Sequence, residues 1–148
     1  DWSSDVCSSD LITRTVVKGR ASDGVRRMFR AVEAAQELGL ELVQHGVEGR
    51  AVHQAILQSL KEAGFDTARR DGCMEGFVHT AGHGVGLDLH EAPQLGANSR
   101  DLLRAGQVIT VEPGLYYPDI GGVRLEDVAL VTRAGARNLT KCEKSLEL

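Results

Sequence analysis

Between Val25 and Leu42 the apolar residues fall at helical spacing: Val25, Met28, Val32, Ala35 and Leu42 line one side. The pattern predicts an amphipathic helix from about Val25 to His45, with Ser22 or Asp23 as its N-cap and Gly46 as its stop. A second stripe, Val52, Ile56 and Leu60, predicts a helix from about Gly49 to Ala63, ended by Gly64. Ahead of both, Ile12–Val17 (ITRTVV) is β-branched and reads as a strand, followed by a turn over Lys18–Gly24. Beyond Gly72 the pattern changes. Glycine is dense up to Gly122, and short β-prone runs alternate with turn signals. Val108–Val111 and Val123–Thr132 read as strands, and Pro113–Gly122 as a loop joining them. Two helices followed by strands, rather than alternating βαβ units, predict an α+β fold.

Composition narrows the class. The chain has 148 residues, 42% hydrophobic and 26% charged, which suits one soluble globular domain. A net charge of −4 with no block of Lys or Arg argues against a nucleic-acid partner. No apolar run reaches the ~18 residues of a spanning helix, so no membrane partner is expected. Cys7, Cys73 and Cys142 are odd in number and widely spaced, with no CxxC pair. That argues for inert thiols in a reducing, cytoplasmic setting. Residues 1–11 (DWSSDVCSSDL) have neither a helical nor a strand period and resemble the in-frame translation of a sequencing adapter. They are expected to be a scar. The authentic sequence is then expected to start near Ile12, in a truncated reading frame.

The chemistry gathers in three blocks. Three of the five histidines, His79, His83 and His90, lie within twelve residues, in a stretch interrupted by Gly82, Gly84 and Gly86. In extended chain the even spacing puts His79 and His83 on one face, although a glycine-rich loop with surface histidines fits equally well. Glu112 follows an apolar strand and shares a face with Val108 and Thr110. A carboxylate on an inward face costs several kcal/mol unless it is paired or binds a metal. In GGVRLEDVALV, period 2 places Arg124, Glu126, Val128 and Leu130 on one face, which a surface ion pair between Arg124 and Glu126 would also explain. Together the blocks form a nitrogen-plus-carboxylate set suited to Mn²⁺, Co²⁺, Zn²⁺ or Fe²⁺. His45 and His53 read as ordinary helix residues, and Asp88 and Glu91 as loop and turn residues.

GHGVGLDLHEAP, TVEPGLYYP and GGVRLEDVALV, in this order, resemble the signature blocks of the pita-bread (creatinase/aminopeptidase) metallopeptidases, family M24. The likeness runs from about Ile12 to Leu148, and the HTAGHGVG and GVRLED wording favours the Xaa-Pro aminopeptidase and prolidase branch. It implies an α+β pita-bread fold, N-terminally truncated, with a curved antiparallel sheet and helices on its outer face, residues 12–148 being the C-terminal part of the metallopeptidase catalytic domain. It implies His83, Glu112 and Glu126 as ligands of two divalent ions, Mn²⁺ foremost. His90 would be the catalytic histidine, and His79 and Arg124 would hold a peptide or dipeptide with proline in second position. A homodimer is also in keeping with the family. Members use two further aspartate ligands upstream, the second directly before an (I/L)TRT block. Here Leu11 precedes ITRT, and Asp10 stands one position early, where a one-residue slip turns a side chain to the opposite face. Asp10 is therefore read as an accidental mimic, and this chain alone is expected to be inactive. The alternatives are a methionine aminopeptidase or creatinase-type hydrolase on the same fold, or a non-catalytic peptide-binding relative.

Overall fold

The computed structural model describes residues 11–148, so the reading of residues 1–10, Asp10 included, lies outside the described residues. Helix α1 spans Asp23–Leu42, and the Ser22 hydroxyl accepts from Val25 N–H at its start. It stops short of His45 because Val43 is already extended (ψ 110°). Gly46, with φ +88°, belongs to a turn beyond the helix end. His45 therefore lies off the helix, its Nδ1 accepting from Ala105 N–H at 3.4 Å. Helix α2 spans Gly49–Glu62, and Val52, Ile56 and Leu60 are fully buried on its inner stripe.

Nine short strands follow: β1 Ala68–Arg70, β2 Cys73–Glu75, β3 Gly82–Gly84, β4 Glu91–Leu95, β5 Val108–Val111, β6 Gly114–Tyr117, β7 Gly121–Arg124, β8 Asp127–Thr132 and β9 Gly135–Asn138. The central sheet is antiparallel with order β4-β3-β5-β8-β9, and β1-β2 and β6-β7 are separate two-stranded ribbons. Three expectations are corrected. Pro113–Gly122 is not a plain loop, because Gly114–Tyr117 and Gly121–Arg124 pair as a hairpin closed by Pro118–Ile120. The run Val123–Thr132 is not one strand. It breaks at Leu125–Glu126 and passes from the hairpin into the central sheet. Ile12–Val17 forms no strand either: Thr13 and Val17 make isolated bridges, to Glu126 and Glu147.

The core lies between the helices and one face of the sheet. Ile109 and Val111 of β5, with Ala129 and Val131 of β8, are buried toward Met28, Val32 and Ala35 of α1. Val111 comes especially close to the helix: a Cβ on Gly39 would lie 3.0 Å from Val111 Cγ1 and 2.7 Å from Ile56 Cδ1, so glycine lets the two helices and the strand meet without displacing these side chains. The buried Gln36 amide donates to the Val111 carbonyl at 3.2 Å, anchoring the strand end just before Glu112. With alternate residues of β5 and β8 committed to the core, Thr110, Glu112 and Glu126 are left for the other face. Among the described residues no helix is long and apolar enough to cross a membrane.

Candidate metal centre

Three adjacent strands deliver the three candidate ligands. His83 is the middle residue of β3, Glu112 follows the end of β5, and Glu126 precedes the start of β8. The β5–β8 register pairs Val111 with Asp127, so one further step sets Glu112 opposite Glu126. Like charges directly opposite on a sheet destabilise it unless something offsets them. One donor atom from each of His83, Glu112 and Glu126 lies within 4.8 Å of the others. His83 and Glu126 are 5% and 3% exposed, and Glu112 is half-buried.

The donor chemistry fits a cation. His83 Nδ1 lies 2.8 Å from the Gly84 carbonyl, which can only accept, so Nδ1 carries the proton and a neutral ring has its lone pair on Nε2. That lone pair faces Glu112 Oε1 at 3.4 Å. Two acceptors at this separation, with a second buried carboxylate beside them, are satisfied by a positive ion among them.

Threonines hold the set in place. Thr110 Oγ1 accepts from His83 N–H at 3.0 Å and donates to Glu112 Oε1 at 3.2 Å. Thr13 Oγ1 donates to Glu126 Oε2. Sequence reasoning missed both threonines. The alternation of Thr110 with Glu112 was a usable signal, but nothing in the sequence joined Thr13 to a residue 113 positions away.

Burial, opposed by the Thr13 hydrogen bond, pushes the Glu126 carboxyl above its ordinary value of 4.5, and the nearby Glu112 charge adds to the rise. The sign of the consequence follows. The folded metal-free chain holds this proton more tightly than the unfolded chain does. The stabilisation is complete below 4.5 and is lost as pH rises through the higher folded value. Denaturant unfolding of the metal-free chain and of Glu126→Gln across that window is expected to show the wild type losing stability relative to the variant. A constant difference would contradict the assignment.

The three ligand candidates line a pocket of about 330 Å³ together with Leu11, Ile12, Thr13, Leu89, His90 and Arg124. The His90 ring meets His83 edge-on, with centroids 4.6 Å apart. Arg124, at the end of β7, is exposed. His79 is not brought to this pocket. It lines a separate, wider depression with His53, Phe77, Gln94 and Asp101. Its Nδ1 donates to the Thr80 carbonyl at 2.7 Å, which leaves Nε2 to accept from Tyr116 Oη at 3.2 Å. His53 is on α2 as expected but is more than an ordinary helix residue. It is 7% exposed and stacked against Phe77, its Nδ1 has no partner, and burial lowers its pKa. Asp88 and Glu91 form a turn in which the Glu91 carboxylate accepts from Asp88 N–H at 2.7 Å. Cys73 and Cys142 are free and exposed.

A three-strand nitrogen-and-carboxylate cluster on one face of an antiparallel sheet, with helices behind the other, is the arrangement of a candidate metal site. The chain belongs to metallopeptidase family M24, whose family model matches residues 8–133. It is 38% identical over 135 residues to the Xaa-Pro dipeptidase of Pyrococcus furiosus, covering 91% of this chain and 36% of that protein. Among solved structures it is similar to a Xaa-Pro dipeptidase from Bacillus anthracis, with a TM-score of 0.83, 39% identity, and coverage of 93% of this chain and 37% of that one. It is likewise similar to an X-Pro aminopeptidase from Thermotoga maritima, with a TM-score of 0.82, 32% identity, and 93% and 37% coverage. The fold is the pita-bread fold of these peptidases. The chain spans little more than a third of the length of the relatives it matches.

Proposed function

We propose that the protein containing this chain is a metal-dependent exopeptidase that hydrolyses the bond between an N-terminal residue and a following proline, acting as a Xaa-Pro dipeptidase or aminopeptidase. The observation that carries the reading is the convergence of His83, Glu112 and Glu126 beside His90 and Arg124. The names of the relatives supply the substrate class. His83, Glu112 and Glu126 would hold two divalent ions, Mn²⁺ foremost, completed by two further carboxylates. Such ions supply a water-derived nucleophile at neutral pH by lowering the pKa of bound water.

The remaining steps belong to the chain's own residues. The exposed His90, edge-on to His83, stabilises the oxyanion of the tetrahedral intermediate by donating a hydrogen bond. Arg124 at the pocket wall orients the substrate through its carboxylate or carbonyl oxygens. His79, held by Tyr116 and Thr80, contacts the proline side of the substrate from the neighbouring depression. A glutamate carboxylate passes the proton to the leaving proline nitrogen.

The test uses Xaa-Pro dipeptides and longer Xaa-Pro peptides, with added Mn²⁺, Co²⁺ or Zn²⁺ and with chelator. An enzyme that joins this chain to a complete upstream half is expected to turn over the dipeptides if it is a dipeptidase and the longer peptides if it is an aminopeptidase, to lose activity in chelator, and to lose it in His83→Ala. The 148-residue chain alone is expected to be silent. Turnover by the chain alone that His83→Ala abolishes would show that three ligands and solvent suffice, and metal-independent turnover would sink the proposal.

A further inference from the structure

Thr13, Arg14 and Thr15 belong to no named strand, yet all three side chains are committed to the stretch Arg124–Asp127. Thr13 donates its hydroxyl to Glu126 Oε2, and its carbonyl accepts from Glu126 N–H at 3.0 Å. Arg14 Nη1 donates to the Glu126 carbonyl at 2.8 Å and to the Thr13 carbonyl at 2.9 Å. Its Nη2 donates to Asp127 Oδ1 at 2.6 Å and to the Cys142 carbonyl at 2.7 Å. Asn138 holds the other oxygen of Asp127 at 2.8 Å. Thr15 Oγ1 accepts from Arg124 N–H and donates to Arg124 O, both at 3.0 Å. One tripeptide thus fixes the backbone of Arg124, the backbone of Glu126 and the carboxylate of Glu126.

We propose that Thr13-Arg14-Thr15 is a positioning element for the site, with Thr13 as the residue that fixes the orientation of the Glu126 carboxylate toward the ion. This rests on the reading of His83, Glu112 and Glu126 as a metal centre. The location explains the need. Glu126 sits in the break between β7 and β8, where no β5 residue pairs with its backbone, so its N–H and carbonyl are taken by Thr13 and Arg14 instead. A glutamate side chain has three free torsions, and ordering it costs conformational entropy. The Thr13 hydroxyl holds the carboxylate in place before an ion arrives and occupies one lone pair of Oε2, leaving Oε1 for the ion. Thr110 does the same for Glu112 from the next strand, donating to Oε1 while it accepts from His83 N–H. Each carboxylate of the cluster therefore has its own threonine donor, and groups that orient ligands in this way typically carry 10–100-fold in metal affinity.

Thr13→Val, which keeps the branched shape and removes the hydroxyl, and Thr13→Ser, which keeps the hydroxyl, test this in the 148-residue chain. Thr13→Ala replaces the valine variant if that variant does not fold. In the metal-free protein, NMR three-bond couplings are expected to show one χ1 rotamer for Glu126 in the wild type and in Thr13→Ser, and averaged rotamers in Thr13→Val. Titration with Co²⁺, followed by its visible absorption, is expected to show about tenfold or more weaker binding in Thr13→Val and recovery in Thr13→Ser. A single Glu126 rotamer in Thr13→Val overturns the proposal whatever the cobalt result. Averaged rotamers with unchanged cobalt affinity and spectrum overturn its link to the metal. A wild type that takes up no Co²⁺ overturns the metal-centre reading instead, and the rotamer comparison still decides the role of Thr13.

Discussion

Gly82→Ala is expected to cost the fold about 3 kcal/mol or more, at the upper end of what overpacking does. A Cβ at this position would lie 2.0 Å from the Thr110 carbonyl oxygen and 2.8 Å from its carbon. Both are backbone atoms of β5, so no side chain can swing away to relieve the clash. The strands must separate, and the adjoining hydrogen bond from Glu112 N–H to the Ala81 carbonyl at 2.8 Å goes with them. Gly72→Ala is the control: its Cβ meets nothing within 4 Å, and only its φ of +85° resists the change. That should cost about 1 kcal/mol. For a chain of this size the first change lowers the thermal midpoint by roughly 10 °C and the second by a few degrees. Equal midpoints for the two variants in circular-dichroism melts would show that β3 and β5 are not packed as closely as described. The same displacement moves His83 away from Glu112, so divalent binding should fall together with stability.

The double change Glu112→Gln/Glu126→Gln is expected to make the metal-free chain more stable at pH 7 while removing its response to divalent ions. The two carboxylates offer oxygens within 4.8 Å of each other, and Glu126 is buried. At that range and an effective dielectric near 20, two full charges repel by about 3 kcal/mol. Glu112 is only half-buried, and solvent around it screens the repulsion, so the realised gain is roughly 1–2 kcal/mol. The neutral amides keep the shape and still accept from Thr13 and Thr110. They lack the charge that draws a dication, so the rise in thermal midpoint that Mn²⁺ or Co²⁺ gives the wild type should vanish. A double variant less stable than the wild type without metal would mean that the carboxylates already have partners that balance them. The expected gain would instead mean that the metal-free site carries a stability cost, which a bound ion offsets.

The helices were legible because their apolar residues repeat at a period that burial against a sheet demands, and Ser22 and Gly64 mark two of their ends. The excess length assigned to α1 came from taking Gly46 as a cap when Val43 already leaves the helical conformation. The β6–β7 hairpin was hidden because Pro113, Pro118 and three glycines in ten residues carry the same signal as a loop, and only pairing between the two arms separates these cases. Ile12–Val17 misled in the other direction. Its β-branched residues satisfy a strand pattern, while the structure spends its hydroxyls and guanidinium on side-chain contacts. The ligand candidates could be picked as residue types, and the family resemblance joined them. Their convergence depends on the strand order β3-β5-β8, which no local spacing encodes. His79 shows the limit of alternation: two residues on one face of an extended chain still diverge when only the second lies within a strand.

The clasp around Glu126 also sets an order of events during synthesis. Arg14 reaches the carbonyls of Cys142 and Glu143, and Val17 bridges to Glu147, so residues made early wait for residues made some 130 positions later. The two helices can pack on each other as soon as they emerge, since their contacts are close in sequence. The contacts of Arg14 and Val17 cannot form until residues 142–147 have left the ribosome. At a synthesis rate of about 5–20 residues per second, the half-built sheet spends several seconds with β5 unpaired along its β8 edge. Closure of this clasp is thus a late event, governed by contacts some 130 positions apart rather than by neighbours in the sequence.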